Sequence, residues 1–172
     1  EDMTMKKQLI SFLLLCAVAS PASAKLNVFA CEPEWAALAT ELGGPLLDVS
    51  YGTTALQVAM TALKLPPGSE VILPSYTIIS CAIAIVEAGC VPVLVDCEPD
   101  TWNLDLDQVE ARITPKTRAI MPVHMFGHPV DMRRLMEIAE RHDLKVIEDA
   151  AESHGAEIEG RRVGGIGDMG CF

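Results

Sequence analysis

GTTALQVAMTALKLPPGSEVILPSYT, residues 52–77, contains the pattern on which the fold turns. Apolar residues at helical spacing run from Thr54 to Lys64, and Pro66-Pro67-Gly68 cannot continue that helix. Val71-Ile72-Leu73 is then a continuous apolar run of strand length, as expected of a strand buried on both faces. The alternation repeats towards the C-terminus. Strands are predicted at Val91–Val95, Arg118–Met121 and Lys145–Ile147, and helices at Ile78–Ala88, Leu106–Ile113 and Met132–His142. Glu98-Pro99-Asp100, Thr114-Pro115 and Gly127-His128-Pro129 mark the connections. Such βαβ units predict the α/β class, with a mainly parallel sheet and helices on both faces.

Composition supports a packed core and excludes some partners. Of 172 residues 50% are hydrophobic and 22% charged, which is ordinary for one globular domain. The formal net charge of -11 argues against nucleic acid, whose phosphates are met by clusters of Lys and Arg. Cys16, Cys31, Cys81, Cys90, Cys97 and Cys171 include no C-x-x-C pair, so they read as buried free thiols and no metal site is expected. No P-loop occurs.

The first fifty residues have a different texture. Met5-Lys6-Lys7, the apolar run Leu9–Ala19 and Ala22-Ser23-Ala24 have the parts of a secretory signal peptide cleaved after Ala24. A buried N-terminal helix or strand is the alternative, and the run is too short to span a bilayer. Lys25–Val49 reads as a short strand, a turn at Glu32-Pro33, and a helix with Trp35, Leu38, Ala39 and Leu42 on its apolar face. Residues 5–49 resemble the N-terminus of zinc or manganese ABC-transporter substrate-binding proteins, but stop before that family's metal-binding histidines. The expected division is a leader at 1–24, a transporter-like segment at 25–50 and an α/β unit at 51–172.

Ligands of open α/β sheets sit beyond the carboxyl ends of the strands. Gly52-Thr53-Thr54 opens a helix there with two hydroxyls and free N–H groups, suited to a phosphate or simply to a Thr cap. Ile147 to Gly155 (IEDAAESHG) brings carboxylates to a strand end, as part of a site with a cationic partner or as a solvated turn. His124 and His128 are four apart, but Pro122, Gly127 and Pro129 favour a loop over a helical metal pair. His154 reads as a ligand contact or a structural histidine, and Trp102 as a packing residue.

GTTALQVAMTALKLPPGSEVILPSYT, GCVPVLVDCEPDTWNLD, ITPKTRAIMPVHMFGHPVDM, LKVIEDAAESHGA and VGGIGDMGCF, in this order, closely resemble the large domain of the DegT/DnrJ/StrS sugar aminotransferases, most of all the perosamine synthase type. The resemblance implies part of a fold-type-I large domain that uses pyridoxal 5'-phosphate (PLP). It also implies transfer of an amino group from glutamate to a nucleotide-linked 4-keto-6-deoxy sugar, by a cytoplasmic homodimer. Asp149 matches the partner of the pyridinium nitrogen, Thr53 and the Thr54 N–H the phosphate cup, and Glu152 the group near the ring hydroxyl. Ile78 stands where the family usually stacks an aromatic residue on the ring. The Schiff-base lysine is expected a few residues beyond Phe172, since Lys25, Lys64, Lys116 and Lys145 match no such position. The competing expectations are an exported metal-binding module, and a chimeric α/β fragment without function.

Overall fold

The computed structural model describes the strands Asn27–Ala30 and Leu46–Asp48 and residues 52–172. The leader and the predicted helix around Trp35 lie outside the described residues. The strands are β1 (Asn27–Ala30), β2 (Leu46–Asp48), β3 (Glu70–Pro74), β4 (Val91–Val95), β5 (Thr117–Ile120), β6 (Lys145–Asp149), β7 (Glu157–Ile158), β8 (Arg161–Arg162) and β9 (Met169–Cys171). The helices are α1 (Gly52–Ala62), α2 (Ile79–Glu87), α3 (Leu106–Arg112) and α4 (Met132–Arg141). A seven-stranded sheet has the order β2-β1-β9-β6-β5-β3-β4, with β7 and β8 as a separate antiparallel pair. Every pairing in the large sheet is parallel.

The continuous apolar strands are explained by helices on both faces. Val71 and Leu73 of β3, Ala119 of β5 and Ile147 of β6 pack with Ala55, Leu56, Ala59 and Met60 of α1 and Cys81, Ala84 and Ile85 of α2. The alternate residues Ile72, Ile120 and Val146 pack with Leu106 and Val109 of α3 and Met132, Leu135 and Ile138 of α4. Successive side chains of a strand point to opposite faces, so a strand covered twice has no polar alternation. Burying one such Leu or Ile side chain contributes about 1.5–3 kcal/mol.

α3 and α4 begin with carboxylate caps: Asp105 accepts from the N–H groups of Asp107 and Gln108, and Asp131 from that of Arg134. α2 begins at Ile78 with no side-chain cap. The short strand β9 has no apolar run to announce it. It sits between β6 and β1, and the register Ile147↔Met169, Asp149↔Cys171 brings residues 169–171 alongside the acidic strand end.

Candidate functional site

Asp149 ends β6 at the carboxyl edge of the sheet and is 5% exposed. Strand alternation turns it to the side of α1 and α2, as it does Ile147. Oδ2 accepts from the Cys81 thiol at 3.1 Å and Oδ1 from the Ala151 N–H at 3.1 Å. Burial pushes the Asp149 carboxyl above its ordinary range, against the opposing pull of the Cys81 hydrogen bond, the Ala151 N–H and His124; Glu152 adds to the rise. Burial, and then the charge of Asp149, push the Cys81 thiol far up, so it stays protonated and donates. Two donors, one of them a weak S–H, leave this buried anion short of partners, which suits a site that receives a cation.

The other predicted residues converge on the first turn of α2. Thr53 Oγ1 lies 2.9 Å from Ser80 Oγ, and the next residue, Cys81, holds Asp149. The Thr53 hydroxyl and the Asp149 carboxylate are thus joined through two consecutive residues around one helix, a span on the order of its 10 Å diameter. Thr54 is half-buried beside Thr53 in the first turn of α1, where backbone N–H groups have no intrahelical partner. Ile78 sits one turn before Cys81 and is 65% exposed, its side chain free to cover something above the site.

Glu152 follows Asp149 in a turn closed by the Ser153 N–H to Ala150 O at 2.9 Å. Glu152 Oε2 accepts from the Phe126 N–H at 2.7 Å, which fixes the carboxylate beside the site.

Glu148 and Asp149 read in sequence as one acidic pair, but they face opposite ways. Glu148 is fully buried and accepts from the N–H groups of Gly164 (2.7 Å), Ile166 (2.7 Å) and Gly167 (2.6 Å). His124 Nδ1 accepts from the Val130 N–H at 3.1 Å, so its proton is on Nε2, which donates to Glu148 at 3.2 Å. A carboxylate with four donors clamps the loop that leads into β9. That loop doubles back tightly: Gly164 has φ 79°, and a Cβ at Gly170 would collide with the Gly164 carbonyl.

Sequence reasoning missed Ser80 and Cys81, which looked like two small residues in an apolar helix. Their signal was position, since they lie in the first turn after a strand end. His154 contacts the Phe172 ring at 5.3 Å between centroids. Trp102 packs against Tyr76 at 5.1 Å yet remains 53% exposed. The described lysines lie away from the site: Lys145 starts β6, Lys116 precedes β5 and Lys64 follows α1, all at the opposite end of the sheet from Asp149. Among the described residues no three His, Cys, Asp or Glu are grouped to hold a metal, and no helix is long and apolar enough to cross a membrane.

The chain is similar to known proteins over most of its described length. Residues 45–172 match the DegT/DnrJ/EryC1/StrS aminotransferase family. The chain is 51% identical over 121 residues to GDP-perosamine synthase of Caulobacter vibrioides, covering 70% of this chain and 33% of that protein. It is similar in structure to the aminotransferase from Psychrobacter cryohalolentis, with TM-score 0.68 and 43% identity over 69% of this chain and 30% of the other. A further likeness is to NtdA from Bacillus subtilis with bound cofactor PMP, with TM-score 0.62 and 41% identity over 66% and 26% of the two chains. The chain spans about a third of the length of the curated relatives it matches.

Proposed function

The chain belongs to the DegT/DnrJ/EryC1/StrS aminotransferase family, and we propose that it carries the cofactor-binding part of a PLP-dependent enzyme that aminates nucleotide-linked 4-keto-6-deoxy sugars, with glutamate as donor. The observation that carries this reading is the under-partnered Asp149 carboxylate, joined through Cys81 and Ser80 to the Thr53 hydroxyl. The donor set fits the group: an anion for a ring cation at one end, a hydroxyl and helix N–H groups for a phosphate at the other.

When bound, PLP supplies an electron sink and carries the amino group between donor and acceptor. Asp149 holds a proton on the ring nitrogen, because a fixed buried anion stabilises the protonated ring. The Thr53 hydroxyl and the first N–H groups of α1, including that of Thr54, donate to the phosphate at the positive end of the helix dipole. Ile78 covers the ring face and excludes water. Glu152, held by the Phe126 N–H, stands towards the ring hydroxyl. The lysine that holds the cofactor and moves the substrate proton lies beyond Phe172 in this reading.

The outer face of α2 points to a second copy of the chain as partner. Ile79, Ile83 and Val86 recur at helical spacing and are exposed, next to exposed Val91 and Leu94 of the edge strand β4. A homodimer covering this face, working in the cytoplasm where nucleotide sugars are made, completes the proposal.

The test is amination by a protein that carries this segment together with the lysine placed beyond Phe172. With PLP and glutamate it is given 4-keto-6-deoxy sugars linked to GDP, UDP or dTDP, and the product is read by mass spectrometry. Amination of one of them, lost in Asp149→Asn, is expected; no amination of any of the three would overturn the reading.

A further inference from the structure

Three aromatic side chains converge at the carboxyl ends of β3, β4 and β5. Tyr76 follows β3, Trp102 lies in the loop after β4, and Phe126 lies in the turn after β5. Tyr76 is 5.1 Å from Trp102 and 6.3 Å from Phe126 between ring centroids, tilted by 54° and 50°. All three are exposed: 43% for Tyr76, 53% for Trp102 and 69% for Phe126.

The backbone holds them there against its own preference. Trp102 has φ 61° and Phe126 φ 51°, in the left-handed region where a bulky side chain costs on the order of 1–2 kcal/mol. Buried Asn103 enforces both. Its Oδ1 accepts from the Met125 N–H at 3.2 Å and its Nδ2 donates to His128 O at 3.0 Å, tying the Trp102 loop to the Phe126 turn. The Trp102 N–H donates to Glu98 O at 3.0 Å, and the Phe126 N–H to Glu152 Oε2 at 2.7 Å. Two strained aromatic residues, cross-linked by a buried amide and turned to solvent, are preorganised for a ring from outside.

We propose that Tyr76, Trp102 and Phe126 form the stacking site for the nucleobase of the nucleotide-linked substrate. This rests on the aminotransferase reading and adds a subsite to it. Every base has a flat face that stacks on aromatic rings. The carboxylates nearby favour the base over the diphosphate: Asp96 accepts from Ser75 Oγ at 3.4 Å and Glu98 from Thr101 Oγ1 at 2.8 Å. Their charge repels phosphate, while their remaining lone pairs accept from the N–H edge of a base. Glu152 links the platform to the Asp149 end of the site, so a base seated here leaves its sugar on the cofactor side.

The sequence has two tryptophans, so Trp35→Phe leaves Trp102 as the sole tryptophan reporter. This chain, without cofactor, is titrated with GDP and UDP, and with inorganic pyrophosphate and mannose as controls. Saturable quenching by both nucleotides and none by the controls is expected. Phe126→Gly, which removes the ring and adopts φ 51° without strain, weakens the nucleotides about tenfold and does not lower the melting temperature. The proposal is overturned if neither nucleotide quenches, if mannose or pyrophosphate quenches equally, or if Phe126→Gly binds nucleotide unchanged. Quenching that follows protein concentration and not ligand assigns the rings to a contact between copies, and also overturns it. A parallel titration with pyridoxamine 5'-phosphate separates the two levels. Cofactor binding without nucleotide quenching removes the platform alone, whereas failure of both removes the aminotransferase reading beneath it.

Discussion

The two helical layers of the sheet are finished differently. On the α3 and α4 side both helices carry aspartate caps, and Arg134–Asp107 and Arg141–Glu110 ion pairs join them across exposed surface. On the α1 and α2 side α2 has no side-chain cap, and three of its outward residues are isoleucine or valine. The first layer is built to face water. The second carries Asp149, Thr53 and Ile78, and in the proposed reading its surface is covered by a cofactor at one end and by a second copy of the chain along α2. The same division runs through two adjacent residues, since Glu148 on the finished side has four donors and Asp149 on the open side has two.

Breaking the finished side has the largest expected effect. Glu148→Ala strands the N–H groups of Gly164, Ile166 and Gly167 and the His124 proton, and costs about 3–5 kcal/mol of stability in urea unfolding. A loss under about 1 kcal/mol would mean that water or loop movement replaces the clamp.

Asp149→Asn is expected to act the other way in the chain without cofactor. Because burial raises the Asp149 carboxyl, the folded state binds its proton more readily than the unfolded state. The stability this gives is present below the ordinary aspartate value and is lost as pH rises through the raised folded value. Melting curves from acid to neutral pH therefore show Asp149→Asn gaining on the parent and exceeding it at pH 7. A variant less stable than the parent at pH 7 contradicts this.

Ile79→Glu with Ile83→Glu tests the surface of the open side. Light scattering is expected to show loss of self-association with unchanged helical circular dichroism, whereas charge reversal at Glu137 or Arg133 of α4 changes neither. Smaller still is Ile78→Tyr, which adds a ring where an aliphatic chain covers the site. It should tighten pyridoxamine 5'-phosphate about 2–10-fold, the range of an aromatic pair. Arg134→Ala, by contrast, costs under about 1 kcal/mol, as an exposed ion pair does.

Much of this division was legible in the sequence, for a physical reason. Four strands and four helices were marked by apolar runs and helical spacing, and their observed bounds differ by a residue or two. β9 was not, because Met-Gly-Cys becomes a strand only through its neighbours β6 and β1. The orientation of Thr53 and Asp149 followed from strand and helix ends, and both are brought to one site through α2. The separation of Glu148 from Asp149 is implicit in strand alternation, yet which of them is clamped depends on a glycine loop sixteen to nineteen residues later. Cys81 and Ser80 carried no pattern, since a thiol in an apolar helix is ordinary. The conformations of Trp102 and Phe126 come from tertiary bonds to Asn103 and Glu152, which no local propensity encodes.

The central claim is that Asp149 is the anion that meets the ring nitrogen of a phosphate-bearing pyridine. The most direct measurement is the ¹⁵N chemical shift of ring-labelled pyridoxamine 5'-phosphate bound to the chain and to Asp149→Asn. The account predicts a protonated ring nitrogen in the parent at neutral pH, and an unprotonated one with about 10–100-fold weaker binding in the variant, the loss of one charge-assisted bond. The same shift and the same affinity in both proteins, or no binding to either, would contradict it.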